Sequence, residues 1–282
     1  MARRPDGYHL IESVVQTVSL HDTLTLEPIP EGLVLEIDDP GLPKGPDNLV
    51  WKAAEALQAR LPHGPRGARI WLEKRIPQGA GLGGGSSDAA ATLVGLGRLW
   101  RMELREPELL GLAASLGSDV PFFLTGGTAL LTGTGTDVTP LPDLTGFEIL
   151  IVFPGAPIST REVYSRVVAP LTSALKISSM PRFSHTPEDG LPREVETWVR
   201  AGNALEPYAC ALCPAIGRIK ERLQAAGASA ASMTGSGSAV FGIFRSAAAA
   251  EKARADLDLS GFTIMRSVPI NRQDYRRRVT ND

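Results

Sequence analysis

Residues 77–91 read Pro-Gln-Gly-Ala-Gly-Leu-Gly-Gly-Gly-Ser-Ser-Asp-Ala-Ala-Ala, between a strand-like run, Ala68–Ile76, and strong helix formers from Ala89. Glycine accepts positive φ and lets a backbone come close to a ligand. Ser86 or Ser87 is placed to cap the helix that follows, whose first N–H groups have no intrahelical acceptor. Free N–H donors at the positive end of a helix dipole form an anion site, most often for phosphate. Two lookalikes fail on spacing. A P-loop ends in Gly-Lys-Ser/Thr, and no lysine follows Gly85 before the helix. A dinucleotide fingerprint needs GxGxxG, whereas Gly81, Gly83 and Gly85 recur every second residue. A flexible linker is the remaining alternative, and the tight bracketing by apolar strand and alanine-rich helix speaks against it.

The chain has 282 residues, 43% hydrophobic and 21% charged, which suits a globular protein with a sizeable core. Its net charge of −2 gives no electrostatic footprint for nucleic acid. No apolar run approaches the roughly 18 residues of a membrane span. Met1-Ala-Arg-Arg-Pro5 leads into polar sequence, so no signal peptide is expected and a reducing cytoplasm is. Cys210 and Cys213 are the only cysteines, and a lone CxxC in a helix-like stretch reads as core packing. Arg272, Arg276, Arg277 and Arg278 read as a solvated basic tail. No feature of the sequence fixes the oligomeric state.

Apolar alternation predicts strands over Ser13–Glu27 and Leu33–Ile37, separated by Pro28, Pro30 and Gly32. Asn48–Leu61 has the helical period, Arg69–Ile76 reads as a strand, and a helix runs from the glycine segment to about Trp100. Pro107 and Gly117 bound a helix over 108–116. Phe123–Thr132 and Phe147–Phe153 are predicted strands, the second continuously apolar and so central. Beyond a polar excursion at 169–197 come a helix at Pro214–Ala226, a strand at Ser238–Phe244, a helix at Ala247–Leu257 and a strand at Phe262–Val268. The pattern predicts an α+β protein of two lobes, 1–146 and 147–282.

Three further segments stand out. Gly117-Ser-Asp-Val-Pro121 sets a carboxylate just past a helix stop, and Asp6-Gly-Tyr-His9 sets an aromatic ring beside an imidazole. Ser232-Met-Thr-Gly-Ser-Gly-Ser238 is a second loop of glycines and hydroxyls. Taken singly, Asp119 reads as a turn residue and Tyr8-His9 equally well as packing. In the order RPDGYH, PQGAGLGGGSSDAA, LGSDVPFF and TGSGSAVFG they resemble the GHMP kinase superfamily. Within it, DGYH, LGSDVPFF and Asn203-Ala-Leu-Glu-Pro207 resemble the branch that phosphorylates the 2-hydroxyl of 4-diphosphocytidyl-2-C-methyl-D-erythritol on the non-mevalonate route to isoprenoids.

The resemblance implies a two-lobed fold, with a ribosomal S5-like first lobe and a ferredoxin-like second lobe, and ATP with Mg2+ as cofactors. It implies that Gly79, Gly81, Leu82, Gly83, Gly84, Gly85, Ser86 and Ser87 surround the ATP phosphates, with Asn48 and Lys74 near the adenosine. Asp119 is then the catalytic aspartate that accepts the hydroxyl proton. Tyr8, His9 and Tyr164 hold the cytosine, and Thr160, Thr234, Gly235, Ser236 and Gly237 help hold the substrate. The resemblance also implies a strand with a Pro-Ala-Lys-Ile/Leu-Asn-Leu type motif ahead of Asp6, and residues 1–5 do not contain it. Two expectations follow: a start codon assigned too late, or a chain that binds ligands and turns over poorly. A non-catalytic nucleotide-binding protein and a GHMP kinase for another small alcohol are the competing readings.

Overall fold

The computed structural model describes residues 9–61, 66–167, 193–257 and 260–280. Three small sheets carry the described strands. In the first, β2 (Thr23–Ile29) and β4 (Gly67–Glu73) pair antiparallel, and β3 (Leu33–Ile37) joins β4 in parallel. One face of this sheet is covered by α1 (Leu49–Gln58) and α2 (Gly84–Leu99). Every second residue of β4 points inward: Ala68, Ile70 and Leu72 are buried with Leu57, Leu93, Leu96 and Trp100. Burial of such side chains stabilises the fold by about 1.5–3 kcal/mol each. The α3 helix (Glu106–Leu116) ends at Gly117, and α4 (Val120–Thr125) follows at once.

The second sheet orders β1 (Ser13–Gln16), β5 (Thr128–Thr132) and β6 (Asp137–Pro140). The predicted strand over Ser13–Glu27 is therefore two strands in two sheets, broken at 17–22. The predicted strand over Phe123–Thr132 is a helix to Thr125 and a strand only from Thr128, because Gly126 (φ 68°) and Gly127 (φ 70°) turn the chain between them.

The third sheet has the order β10-β7-β9-β8, so the continuously apolar β7 (Glu148–Phe153) is interior as predicted. Its partners are β8 (Ala230–Met233), β9 (Val240–Phe244) and β10 (Thr263–Ser267). Two faces are apolar. Leu150 and Val152 pack with Ile216, Ile219 and Leu223 of α8 (Ala215–Ala225) and with α9 (Ala247–Asp256). Ile149 and Ile151 face the opposite way, onto Ala80 of the glycine segment and Val195 of α6 (Arg193–Ala201). The glycine segment thus rests on the third sheet, while the helix it opens belongs to the first lobe's core. Two short helices, α5 (Thr160–Ser165) and α7 (Glu206–Leu212), complete this region. Cys213 is buried in its core and Cys210 packs beside it, both as free thiols.

The final helix, α10 (Arg272–Thr280), returns to the first lobe. Tyr275 donates to the Phe123 carbonyl at 2.8 Å, and Arg272 donates to the carbonyls of Gly126, Thr128 and Leu141. Arg272 is thus an anchor and not part of a solvated tail, although Arg276, Arg277 and Arg278 are exposed. No helix among the described residues is long and apolar enough to cross a membrane.

Candidate active site

The helix after the glycine segment begins at Gly84, five residues before the alanine run. Its N-cap is Gly83 in the left-handed region (φ 70°), and no side chain caps it. Neither serine takes the expected capping place: Ser87 donates its N–H to the Gly83 carbonyl (2.9 Å) and its hydroxyl to the Gly84 carbonyl (2.7 Å). A left-handed glycine completes the turn with backbone alone, so both serines fall inside the first turn. The N–H groups of Gly84, Gly85 and Ser86 are left without intrahelical acceptors at the positive end of a 16-residue helix.

The preceding carbonyls are spoken for. Gly79, Ala80 and Gly81 accept hydrogen bonds from Ile158 N–H (3.2 Å), Ala239 N–H (3.0 Å) and the Thr234 hydroxyl (3.0 Å) respectively. The two glycine loops touch so closely that a Cβ on Gly81 would lie 2.4 Å from the Thr234 carbonyl, and one on Gly235 2.7 Å from the Gly81 carbonyl. Gly81 also has φ 74°, so glycine is required there by both space and backbone.

A cavity of about 1750 Å3 opens in front of these loops. Its lining includes Asn48, Lys74, Gly79, Gly81, Leu82, Gly83, Gly84, Gly85, Ser86, Ser87, Asp119, Thr160, Tyr164, Thr234, Gly235 and Ser236. Of the other predicted site residues, Gly237 packs behind its loop, where a Cβ would meet Met233 Sδ at 2.8 Å. His9 lies against Tyr164, with ring centroids 5.3 Å apart and planes tilted by 33°. Tyr8 lies outside the described residues. Thr160 and Ser236 join hydroxyls at 2.7 Å.

Asp119 is the N-cap residue of α4, directly after the α3 stop, and its side chain makes no capping bond. Desolvation by the surrounding protein pushes its carboxyl above the ordinary aspartate value, although the residue remains exposed to solvent. The same cause raises the Tyr164 hydroxyl, and the charge of Asp119 adds to it. The Asp119 carboxylate and the Tyr164 ring thus line the same cavity as the uncapped first turn of α2.

Asn48 is committed structurally: its Oδ1 accepts the Val50 N–H (2.9 Å) as N-cap of α1, and its Nδ2 donates to the Pro43 carbonyl (2.9 Å). Lys74 is committed too. Its ammonium bridges the carboxylates of Asp22 and Asp88, the latter at 2.8 Å, with side chains 10%, 1% and 5% exposed. Burial opposes the charge on Lys74, yet Asp88 and Asp22 outweigh it and raise the amine. Burial lifts Asp88 to about 7 against the pull of Lys74, with the second carboxylate adding to the rise. Asp22 also accepts the N–H groups of Arg75 and Ile76, so this cluster fixes the chain just past β4 to the second turn of α2. Sequence reading missed Asp22 and Asp88 as part of the site. Asp88 stood inside the quoted segment, whereas Asp22 gave no local signal, its partners being 52 residues and more away.

Comparison with known proteins agrees with this architecture. Residues 48–127 match the GHMP kinases N terminal domain and residues 189–261 the GHMP kinases C terminal domain. The 4-diphosphocytidyl-2-C-methyl-D-erythritol kinase of Pelobacter propionicus is 42% identical over 257 residues, covering 90% of this chain and 88% of that protein. Its namesake from Moorella thermoacetica is 40% identical over 248 residues, covering 86% and 84%. A crystal structure of 4-(cytidine 5'-diphospho)-2C-methyl-D-erythritol kinase superposes with a TM-score of 0.70 at 35% identity, over 95% of this chain and 94% of the other. A homoserine kinase from Cytophaga hutchinsonii shares the fold at 21% identity, with a TM-score of 0.67 over 92% and 89%. With cradle, carboxylate and two lobes in this order, the chain belongs to the GHMP kinase family, in its 4-diphosphocytidyl-2-C-methyl-D-erythritol kinase branch.

Proposed function

We propose that this ATP-dependent kinase phosphorylates the 2-hydroxyl of 4-diphosphocytidyl-2-C-methyl-D-erythritol, as the names of its relatives indicate for them. The observation that carries the reading is the single cavity shared by the uncapped first turn of α2 and the Asp119 carboxylate. Phosphoryl transfer needs little covalent chemistry from the protein; it needs a phosphate cradle, charge neutralisation and an oriented nucleophile. The N–H groups of Gly84, Gly85 and Ser86 hold the triphosphate, with the helix dipole favouring its charge. Asp119 accepts the proton of the attacking hydroxyl as its oxygen bonds to the γ-phosphorus and the bond to the β-phosphate oxygen breaks, releasing ADP. Its raised affinity for a proton makes it a better base than an ordinary aspartate.

Among the described residues no group of three or more His, Cys, Asp or Glu forms a metal cage. ATP-bound Mg2+ takes most of its ligands from phosphate and water and needs only one or two from protein, a demand the cavity-lining Ser86 hydroxyl and the Asp119 carboxylate fit. When bound, the ion neutralises charge on the phosphates. Free cysteines suit a reducing cytoplasm.

The ring pair His9–Tyr164 favours a cytidine substrate over a small acid such as mevalonate or homoserine, which would call for basic groups. Thermal-shift titration separates these readings. CMP and CDP are expected to raise the midpoint, and mevalonate and homoserine to leave it unmoved. A response to mevalonate or homoserine with none to cytidine nucleotides contradicts the substrate assignment. A non-catalytic nucleotide-binding protein would bind both ATP and CDP and form no product.

A further inference from the structure

Asn203 sits between α6 and α7 on the lining of the cavity, beside the second glycine loop, and both ends of its side-chain amide are bonded. Oδ1 accepts the Leu205 N–H (2.9 Å), which fixes the amide plane. Nδ2 then donates to two carbonyls of the loop, Met233 (3.1 Å) and Gly235 (2.7 Å). Glu206, three residues on, accepts the Met233 N–H (3.3 Å) and pairs with Lys220. The loop itself has little intrinsic rigidity, since Gly235 (φ 54°) and Gly237 (φ 88°) both sit in the region only glycine adopts freely. Yet this loop is what the ATP cradle leans on: Thr234 holds the Gly81 carbonyl at 3.0 Å, and Ala239 holds that of Ala80 at 3.0 Å.

We propose that Asn203 is a positioning residue for the phosphate cradle, acting through the second glycine loop: it pins Met233 and Gly235, and that loop in turn fixes the carbonyls behind the cradle's amides. The inference deepens the kinase reading and rests on it for the identity of the ligand, though the clamp itself is a property of the ligand-free chain. It assigns the Asn203-Ala-Leu-Glu-Pro207 segment a mechanical task in holding ATP.

The test replaces Asn203 by Ser, which keeps an oxygen able to cap Leu205 and removes the Nδ2 amide that reaches both loop carbonyls. Hydrogen exchange of the ligand-free variant is expected to quicken by about tenfold over residues 79–87 and 233–239, the worth of roughly one net hydrogen bond, with α8 and β7 unchanged. ATP affinity is expected to fall by a similar factor. Thr234→Val should have the same effect, and the double variant should be no weaker than about twofold below either single one, because both cut one chain of contacts. Unchanged exchange at 79–87, or losses that multiply in the double variant, would overturn the clamp. Faster exchange throughout the second lobe would also overturn it, showing a merely structural role. Asn203→Asp, which likewise keeps the cap and loses both donors, serves if the serine variant does not fold. Should the parent chain bind no ATP, the kinase reading fails while the exchange result still judges the clamp.

Discussion

Asp119 and Lys74 show two settings for a charged group, one open to the cavity and one nearly dry. Asp119 is open to solvent at the cavity, yet desolvation by the surrounding protein, with no cationic side chain among the described residues opposing it, raises its proton affinity. In the proposed reaction the form that accepts the hydroxyl proton is the ionised one. Turnover should therefore rise with pH along an acidic limb displaced above the ordinary aspartate value of 3.8, and a pH–rate profile reads this directly. A limb at or below that value would show that the surrounding protein does not desolvate the carboxylate. Lys74 sits between two carboxylates instead, and its removal leaves both buried without a counter-charge. Lys74→Met is expected to lower unfolding free energy by about 3–5 kcal/mol in urea titration, the usual consequence of breaking a buried pair. A loss under ~1 kcal/mol would mean that water solvates the cluster.

Elements were legible where the signal was local. The glycine segment, the Asn48–Leu61 helix, the Gly117 stop and the central apolar strand at 147–153 were all readable from period and punctuation, and they carry most of the cradle. The break at 17–22 was not, because Thr-Val-Ser-Leu-His-Asp contains neither glycine nor proline. It is held from the far end of the chain: Ser19 bonds to Val268 and Ser267, and Thr17 to Ile270. The helix at 120–125 did have a signal, Pro121 in its first turn, but three apolar residues in a row read as strand. Cap choice went wrong at Gly83 for a similar reason, since a serine three or four residues on looked like the stronger signal. The glycine loops carry their own expectation. Gly81→Ala would force a Cβ to 2.4 Å from the Thr234 carbonyl at a φ of 74°, so the loops must part. ATP affinity should drop by about tenfold or more, with strain on the order of 1–2 kcal/mol from the left-handed backbone alone. Isothermal titration checks it, and unaltered affinity would show that the loops do not need to touch.

At the scale of the molecule, the cradle depends on both lobes. Its helix is buried in the first lobe's core, its carbonyls are bonded to residues 158, 234 and 239, and α10 carries the chain's end back against α4 through Tyr275. This closure puts the first turn of α2, Asp119 and Tyr164 on one cavity, with His9 stacked at a tilt against Tyr164. The direct trial is phosphorus NMR of 4-diphosphocytidyl-2-C-methyl-D-erythritol incubated with ATP, Mg2+ and either the parent chain or Asp119→Asn. The parent is expected to convert ATP to ADP with a new phosphomonoester on the 2-oxygen, and the variant to bind both ligands while turning over about 10²–10⁴ times more slowly. No phosphomonoester from the parent, or equal rates from the two, would contradict the account.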